Sequence, residues 1–261
     1  MENVLKRITF PIINAWGQRK LDNQNFSKEP ILVGGCARSG TTLLISILSA
    51  HPSIFTFPKE LMAFIKWNNR ESENPAPRRI DRLHRQVIIT NFPEEAKRWC
   101  EKSAQNCRHF GQILNYFNEQ VKLIHIVRDG RDVITSRHPD KPDNFWVEPE
   151  RWVYDVQSGL EFVDHPNLVT VKYEDIVQNY DDTVRNLFDF LGEEYHENLQ
   201  EYHKHADIKK ARGWFHPVKE VHGNSIGRWQ KEEYRERYEL AREIPGFLET
   251  LERAGYDTGA E

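Results

Sequence analysis

Residues 31–50, ILVGGCARSGTTLLISILSA, constrain the fold more than any other stretch of the chain. An apolar run turns on Gly34, Gly35 and a cluster of hydroxyls, then resumes as an apolar segment with helical spacing. A strand that passes through a glycine-rich turn into a helix presents successive backbone N–H groups to a concavity, with the positive end of the helix dipole behind it. Phosphate or a similar oxyanion is its natural occupant. Arg38 adds a charged fork, and Ser39, Gly40, Thr41 and Thr42 continue the turn with N–H and hydroxyl donors. In a Walker A loop a lysine stands where this chain has Thr41 and reaches the β and γ phosphates. Thr41 cannot do that, which argues against a triphosphatase but leaves a phosphate binder.

The remaining pattern supports an α/β fold. Short Val/Ile-rich runs at 31–35, 54–57, 122–127 and 168–173 read as buried parallel strands. Segments with helical spacing lie between them, at 41–50, 60–67, 93–105, 149–163 and 181–192, the last ending at Gly192. Strands alternating with helices predict a single domain with a central, mostly parallel sheet flanked by helices. Polar or aromatic-rich stretches at 68–79, 138–149 and 206–229 interrupt the pattern. The last, with Trp214, Phe215 and Trp229, reads as a wall or lid over a ligand.

Composition excludes several classes. With 29% charged residues, 38% hydrophobic residues and a net charge of -4, the chain is neither disordered nor a nucleic-acid binder by charge. Its three cysteines, Cys36, Cys100 and Cys107, form no CxxC pair or His-linked cluster, so neither a disulfide framework nor a structural zinc is expected. No apolar run is long enough for a membrane span, and the expected compartment is the cytoplasm. Residues 4–16 read as a strand or helix packed on the domain, with a weak amphipathic membrane contact as the alternative.

A second constellation, KLIHIVRDGRDVITSRHP, spans 122–139. Arg128 leaves a strand end, and Ser136 follows eight residues later, about two helical turns if a helix begins near Asp129. The pair could close on a second anionic group, or Arg128 could pair with Asp129 or Asp132.

CARSGTTLL and IVRDGRDVITS, in this order and separation, resemble the 5′-phosphosulfate loop and 3′-phosphate motif of sulfotransferases that use 3′-phosphoadenosine 5′-phosphosulfate (PAPS). VTVKYEDIV (169–177) and NSIGRWQ (224–230) resemble two further motifs of that family, so the likeness runs over about residues 30–230. Residues 1–29 then form an N-terminal extension and 231–261 a C-terminal helical segment. The resemblance implies that Arg38 to Thr42 cradle the 5′-phosphosulfate and that Arg128 and Ser136 bind the 3′-phosphate. Arg228, with the backbone from Ser225 to Gly227, closes over the same phosphate, and Trp229 or Tyr173 flanks adenine. Many cytosolic members carry Lys at the position of Arg38 and use a histidine in a motif absent here. Arg at this position is familiar from tyrosylprotein and bacterial members.

Sulfuryl transfer to an acceptor hydroxyl or amine demands no metal, with Arg38 neutralising the departing phosphate. The candidate general base is Glu60, at a helix start beyond the second strand, where carbohydrate and tyrosylprotein sulfotransferases carry an acidic base. Lys59 beside it contacts the sulfonate or lies in solvent. His51, His125 and His138 are rival bases. Competing readings are a P-loop-like nucleotide kinase and a non-catalytic nucleotide-binding module. The acceptor, a small molecule, carbohydrate or peptide, is expected against segments 62–90, 138–155 and 206–222.

Overall fold

Residues 2–68, 75–138, 140–206 and 225–258 are described in a computed structural model of the chain. Helix α1 (Glu2–Gln24) leads into β1 (Ile31–Gly34), α2 (Thr41–Ser49) and β2 (Ile54–Thr56). A hairpin of β3 (Trp67–Asn68) and β4 (Ala76–Pro77) precedes α3 (Ile80–Ile89) and β5 (Arg98–Lys102). Then come α4 (Phe110–Tyr116), β6 (Lys122–Val127), α5 (Gly130–Ile134) and a second hairpin, β7 (Arg137–His138) with β8 (Lys141–Phe145). Helix α6 (Pro149–Leu160), β9 (Leu168–Lys172), α7 (Tyr173–Gln178) and α8 (Tyr180–Leu191) follow, then α9 (Tyr202–His205), α10 (Arg235–Arg242) and α11 (Phe247–Arg253).

The central sheet is parallel, in the order β2-β5-β1-β6-β9. Side chains along its strands alternate between two cores, as a period of two requires. Ile31, Val33, Ile124 and Ile126 pack with Leu44, Ile45 and Phe188 from α2 and α8. Leu32 and Leu123 face the other way, into a cluster with Phe110 and Leu114. Consecutive apolar residues in β1 and β6 are thus explained by helices on both faces. Because β1 has β5 on one side and β6 on the other, the crevice at its carboxyl end is where an open sheet of this kind takes a ligand.

Four of the five sheet strands and the helices at 41–50, 149–163 and 181–192 lie where the sequence places them, α8 ending on Gly192 at φ 65°. The fifth strand corrects the reading of 93–105 as helix: Arg98–Lys102 pairs with both β1 and β2. Its charges are buried because distant groups meet them, Arg98 pairing with Glu193 at 3.2 Å and Glu101 accepting from Leu61 N at 3.1 Å. The expected helix at 60–67 is also absent. There, backbone donors go to side chains, Met62 N to Ser103 Oγ at 2.9 Å, and Met62 takes a left-handed φ of 51°. Within 62–90, read as a loop against the acceptor, helix α3 forms and packs on α1, burying Leu83, His84 and Val87. The N-terminal segment is a helix on the domain. No helix among the described residues is long and apolar enough to cross a membrane. The cysteines are unpaired and buried.

Candidate active site

The phosphate-type loop occupies the turn from β1 to α2. Gly35 is required by close approach, since a Cβ there would lie 2.3 Å from the Ile126 carbonyl oxygen. Gly40, at φ 91°, is pressed against the Tyr173 ring, where a Cβ would fall 2.5 Å from Cδ2. Between them Arg38 holds a left-handed φ of 72°, uncommon for a residue with a Cβ and a local cost of about 1–3 kcal/mol. Gly40 begins α2 without a side-chain cap, so the first-turn N–H groups are left to whatever lies in the loop. Thr41 is buried and Thr42 half-buried.

Arg128 follows β6, so the adjacency of β1 and β6 sets it beside the loop. Its Nη1 donates to the Arg38 carbonyl at 3.2 Å, its Nη2 donates to the Ser225 carbonyl, and its guanidinium sits 4.3 Å over the Tyr173 ring. Tyr173 Oη and Ser225 Oγ are 2.8 Å apart. Asp132 fastens the other side of the 225–229 segment, accepting from Gly227 N at 2.8 Å and Trp229 N at 3.2 Å. Arg228 thereby reaches Ser136 Oγ and the Asp132 carbonyl. Helix α5 is a single turn that ends before Ser136, so Arg228, rather than helical periodicity, joins Ser136 to Arg128. Of the acids offered as partners, Asp129 caps α5 and binds Arg131 at 2.8 Å, whereas Asp132 lies 3.8 Å from Arg128.

Three arginines therefore converge. Burial, then the charge of Arg128, pushes Arg38 down, and the same causes push Arg228 down to about 10. Burial raises Asp132, opposed by Arg128 and the two backbone N–H groups it accepts from. Arg38 Nε, Ser39 Oγ, Arg128 Nε and Arg228 Nε are buried with no hydrogen-bond partner among the described residues. Each can donate, and buried donors want acceptors. A ligand with anionic oxygens at two ends fits this set.

Tyr173 is a buried support under Arg128 and against Gly40, whereas Trp229 is half-buried, with Arg131 4.2 Å from its ring. Segment 207–224, which includes Trp214 and Phe215, lies outside the described residues, as does 69–74.

Glu60 stands at the end of β5. Lys102 Nζ donates to Glu60 Oε1 at 2.6 Å, with the lysine buried and the carboxylate side chain 29% exposed. The register of Val33 against Lys102 places this pair next to the phosphate-type loop. Lys59 is exposed. Sequence reasoning missed Lys102, and Glu101 and Ser103 that shape the loop below Glu60. The only sequence signal was a Glu-Lys-Ser run behind the aromatic Trp99, which is ambiguous until β5 is known to be a strand.

Two of the rival histidines are placed away from this chemistry. His51 is held by the Glu194 carbonyl at 2.9 Å and Ser53 N at 3.2 Å, and burial pushes it down. His125 is fully buried against Gly159 and pushed down to about 3 by burial. His138 stacks on Trp146 at 4.3 Å, and Arg38 lies 5.6 Å from that Trp146 ring.

A family model described as "Sulfotransferase family" matches residues 30–197. No curated protein matches the chain in sequence. Among solved structures, the chain resembles the sulfotransferase domain of the Synechococcus PCC 7002 olefin synthase at 22% identity and TM-score 0.59, over 88% of this chain and 96% of that one. Sulfotransferase STF9 from Mycobacterium avium is similar at 16% identity and TM-score 0.57, over 95% and 83%. Mouse sulfotransferase SULT7A1, solved with PAP, is similar at 14% identity and TM-score 0.52, over 91% and 90%.

Proposed function

The chain belongs to the sulfotransferase family and is an enzyme of sulfuryl transfer, and from that premise we propose that it uses PAPS as donor and Glu60 as general base toward an acceptor hydroxyl or amine. The observation that carries the donor assignment is the set of three convergent arginines whose buried Nε atoms have no partner among the described residues, beside an uncapped helix start. PAPS, when bound, supplies an activated sulfuryl group on a phosphate leaving group. Arg38, Ser39, Gly40, Thr41 and Thr42 hold the 5′ end, with the helix N-terminus adding fixed positive potential. Arg128, Ser136 and Arg228, with the 225–227 turn that Asp132 fastens in place, enclose the 3′ end, and Trp229 flanks the base.

The protein's part in transfer is positioning and charge stabilisation, as in phosphoryl transfer. Arg38 stabilises negative charge on the departing phosphate oxygen. Glu60 takes the acceptor proton at a carboxylate oxygen, and Lys102 holds that carboxylate in place through Oε1. Lys102 acts here as a positioning residue. Lys59, being exposed, has no part in this scheme.

Calorimetric titration with adenosine 3′,5′-bisphosphate (PAP) against ATP tests the donor assignment. PAP is expected to bind well over tenfold more tightly, and equal affinities would reject it. An acceptor panel with labelled PAPS then tests transfer.

A further inference from the structure

The β3–β4 hairpin sets two cations face to face. Trp67 pairs with Pro77 and Asn68 with Ala76, and Arg78 N donates to the Lys66 carbonyl at 2.8 Å, so Lys66 and Arg78 stand opposite one another. Like charges directly across an antiparallel ladder destabilise it. With Arg79 and the Phe10 ring of α1 they line a cavity of about 300 Å³. Arg85 approaches the Phe10 ring to 5.8 Å. Asp81 is already shared, 3.1 Å from Arg79 and 3.5 Å from Arg85. Among the described residues no acid pairs with Lys66, Arg78 or Arg82. By sequence, segment 69–74 contributes one arginine and two glutamates, too little to cancel the excess of five cations over one acid.

This basic pocket is tied to the reacting end of the site. Arg82 Nη1 donates to the Met62 carbonyl at 3.4 Å, and Met62 is two residues beyond Glu60, a Cα span of at most about 7 Å. One irregular segment thus carries both the proposed base and the first cation of the pocket. The volume is at the low end for ligand sites, enough for a charged substituent rather than a whole acceptor.

We propose that this pocket binds an anionic substituent of the acceptor, a carboxylate, sulfate or phosphate monoester, so that the enzyme selects hydroxyl acceptors that are already negatively charged. An anion between Lys66 and Arg78 relieves the repulsion that the hairpin register imposes, and Phe10 offers an apolar wall to the sugar or ring bearing it. The inference rests on the sulfotransferase reading with Glu60 at the reacting hydroxyl.

The test uses the full chain saturated with PAP, which fills the three-arginine clamp and keeps other anions out of it. Glucose 6-phosphate and phenyl phosphate are titrated against glucose and phenol, in the wild type and in the double variant Lys66→Gln/Arg78→Gln, two exposed positions. The phosphorylated probes are expected to bind the wild type at least about tenfold more tightly than their neutral partners, the effect of losing charge-assisted hydrogen bonds. The double variant is expected to lose that preference while its PAP affinity stays within about twofold of the wild type. Equal binding of charged and neutral probes, or a preference that survives the double substitution, overturns the pocket. Failure of PAP itself to bind the wild type overturns the donor reading instead, so the two are separated in one experiment.

Discussion

Two clusters at the carboxyl edge of one sheet handle charge in opposite ways. At the ends of β1 and β6, Arg38, Arg128 and Arg228 repel one another and keep buried donors that have no partner among the described residues, while Asp132 spends both carboxylate oxygens on the backbone of the 225–229 segment. At the end of β5, Glu60 and Lys102 neutralise each other at 2.6 Å. The first is incomplete without an anion, which is the condition of a binding site. The second is electrically complete, holding one carboxylate in place, which is what a base needs. Damage to the first should appear in affinity, and damage to the second in turnover.

The largest effect is expected at the second cluster. Glu60→Gln should lower kcat by about 10²- to 10⁴-fold, the usual worth of a general base, with PAP affinity nearly unchanged in the same protein. Near-normal turnover would remove Glu60 from the mechanism and return attention to His138. Next, Arg128→Met should weaken PAP binding by about tenfold to a hundredfold, as expected for lost charge-assisted hydrogen bonds. If turnover fell at saturating PAPS while PAP affinity held, the division between the clusters would collapse. Third, Lys102→Met should lower kcat by about tenfold, the scale of one positioning contact, whereas Lys59→Met should stay within about twofold, as surface changes do. Equal losses in the two variants would show that burial beside Glu60 does not matter.

The smallest expected effect is a pH dependence confined to the first cluster. Burial and the neighbouring arginines lower Arg228 to about 10, so its positive charge persists at neutrality and is lost as pH rises through that value. PAP affinity should be flat between pH 7 and 9 and decline above about 10. Affinity that holds through pH 11 would show that Arg228 keeps its proton there, against the lowering by burial and Arg128.

Arg38 and Arg128 were legible and the Glu60–Lys102 pair only half so, for a physical reason. A phosphate-type loop is a local object: glycines for close approach, a helix start and a run of hydroxyls all fall within twelve residues, and periodicity exposes the strands on either side. Glu60 could be singled out as a carboxylate beyond a strand, but its partner could not. Arg98, Glu101 and Lys102 look like the polar face of a helix because nothing nearby in sequence announces that Glu193, Leu61 N and Glu60 will meet them. The same blindness turned 60–67 into a helix, since its backbone donors are claimed by side chains of β5 and the turn after it.

By itself, then, the sequence determined the α/β class, the loop at 35–42, and Arg38 and Arg128, because each depends on contacts within a few residues or on strand periodicity, whereas Arg228 was named only through the family resemblance. Only the tertiary structure decided that β5 lies between β1 and β2, that Lys102 rather than Lys59 meets Glu60, and that Ser136 joins Arg128 through Arg228 instead of through a shared helix face. Those outcomes depend on which buried charges find one another across tens of residues, and a buried charge is tolerated only where the completed fold supplies its partner.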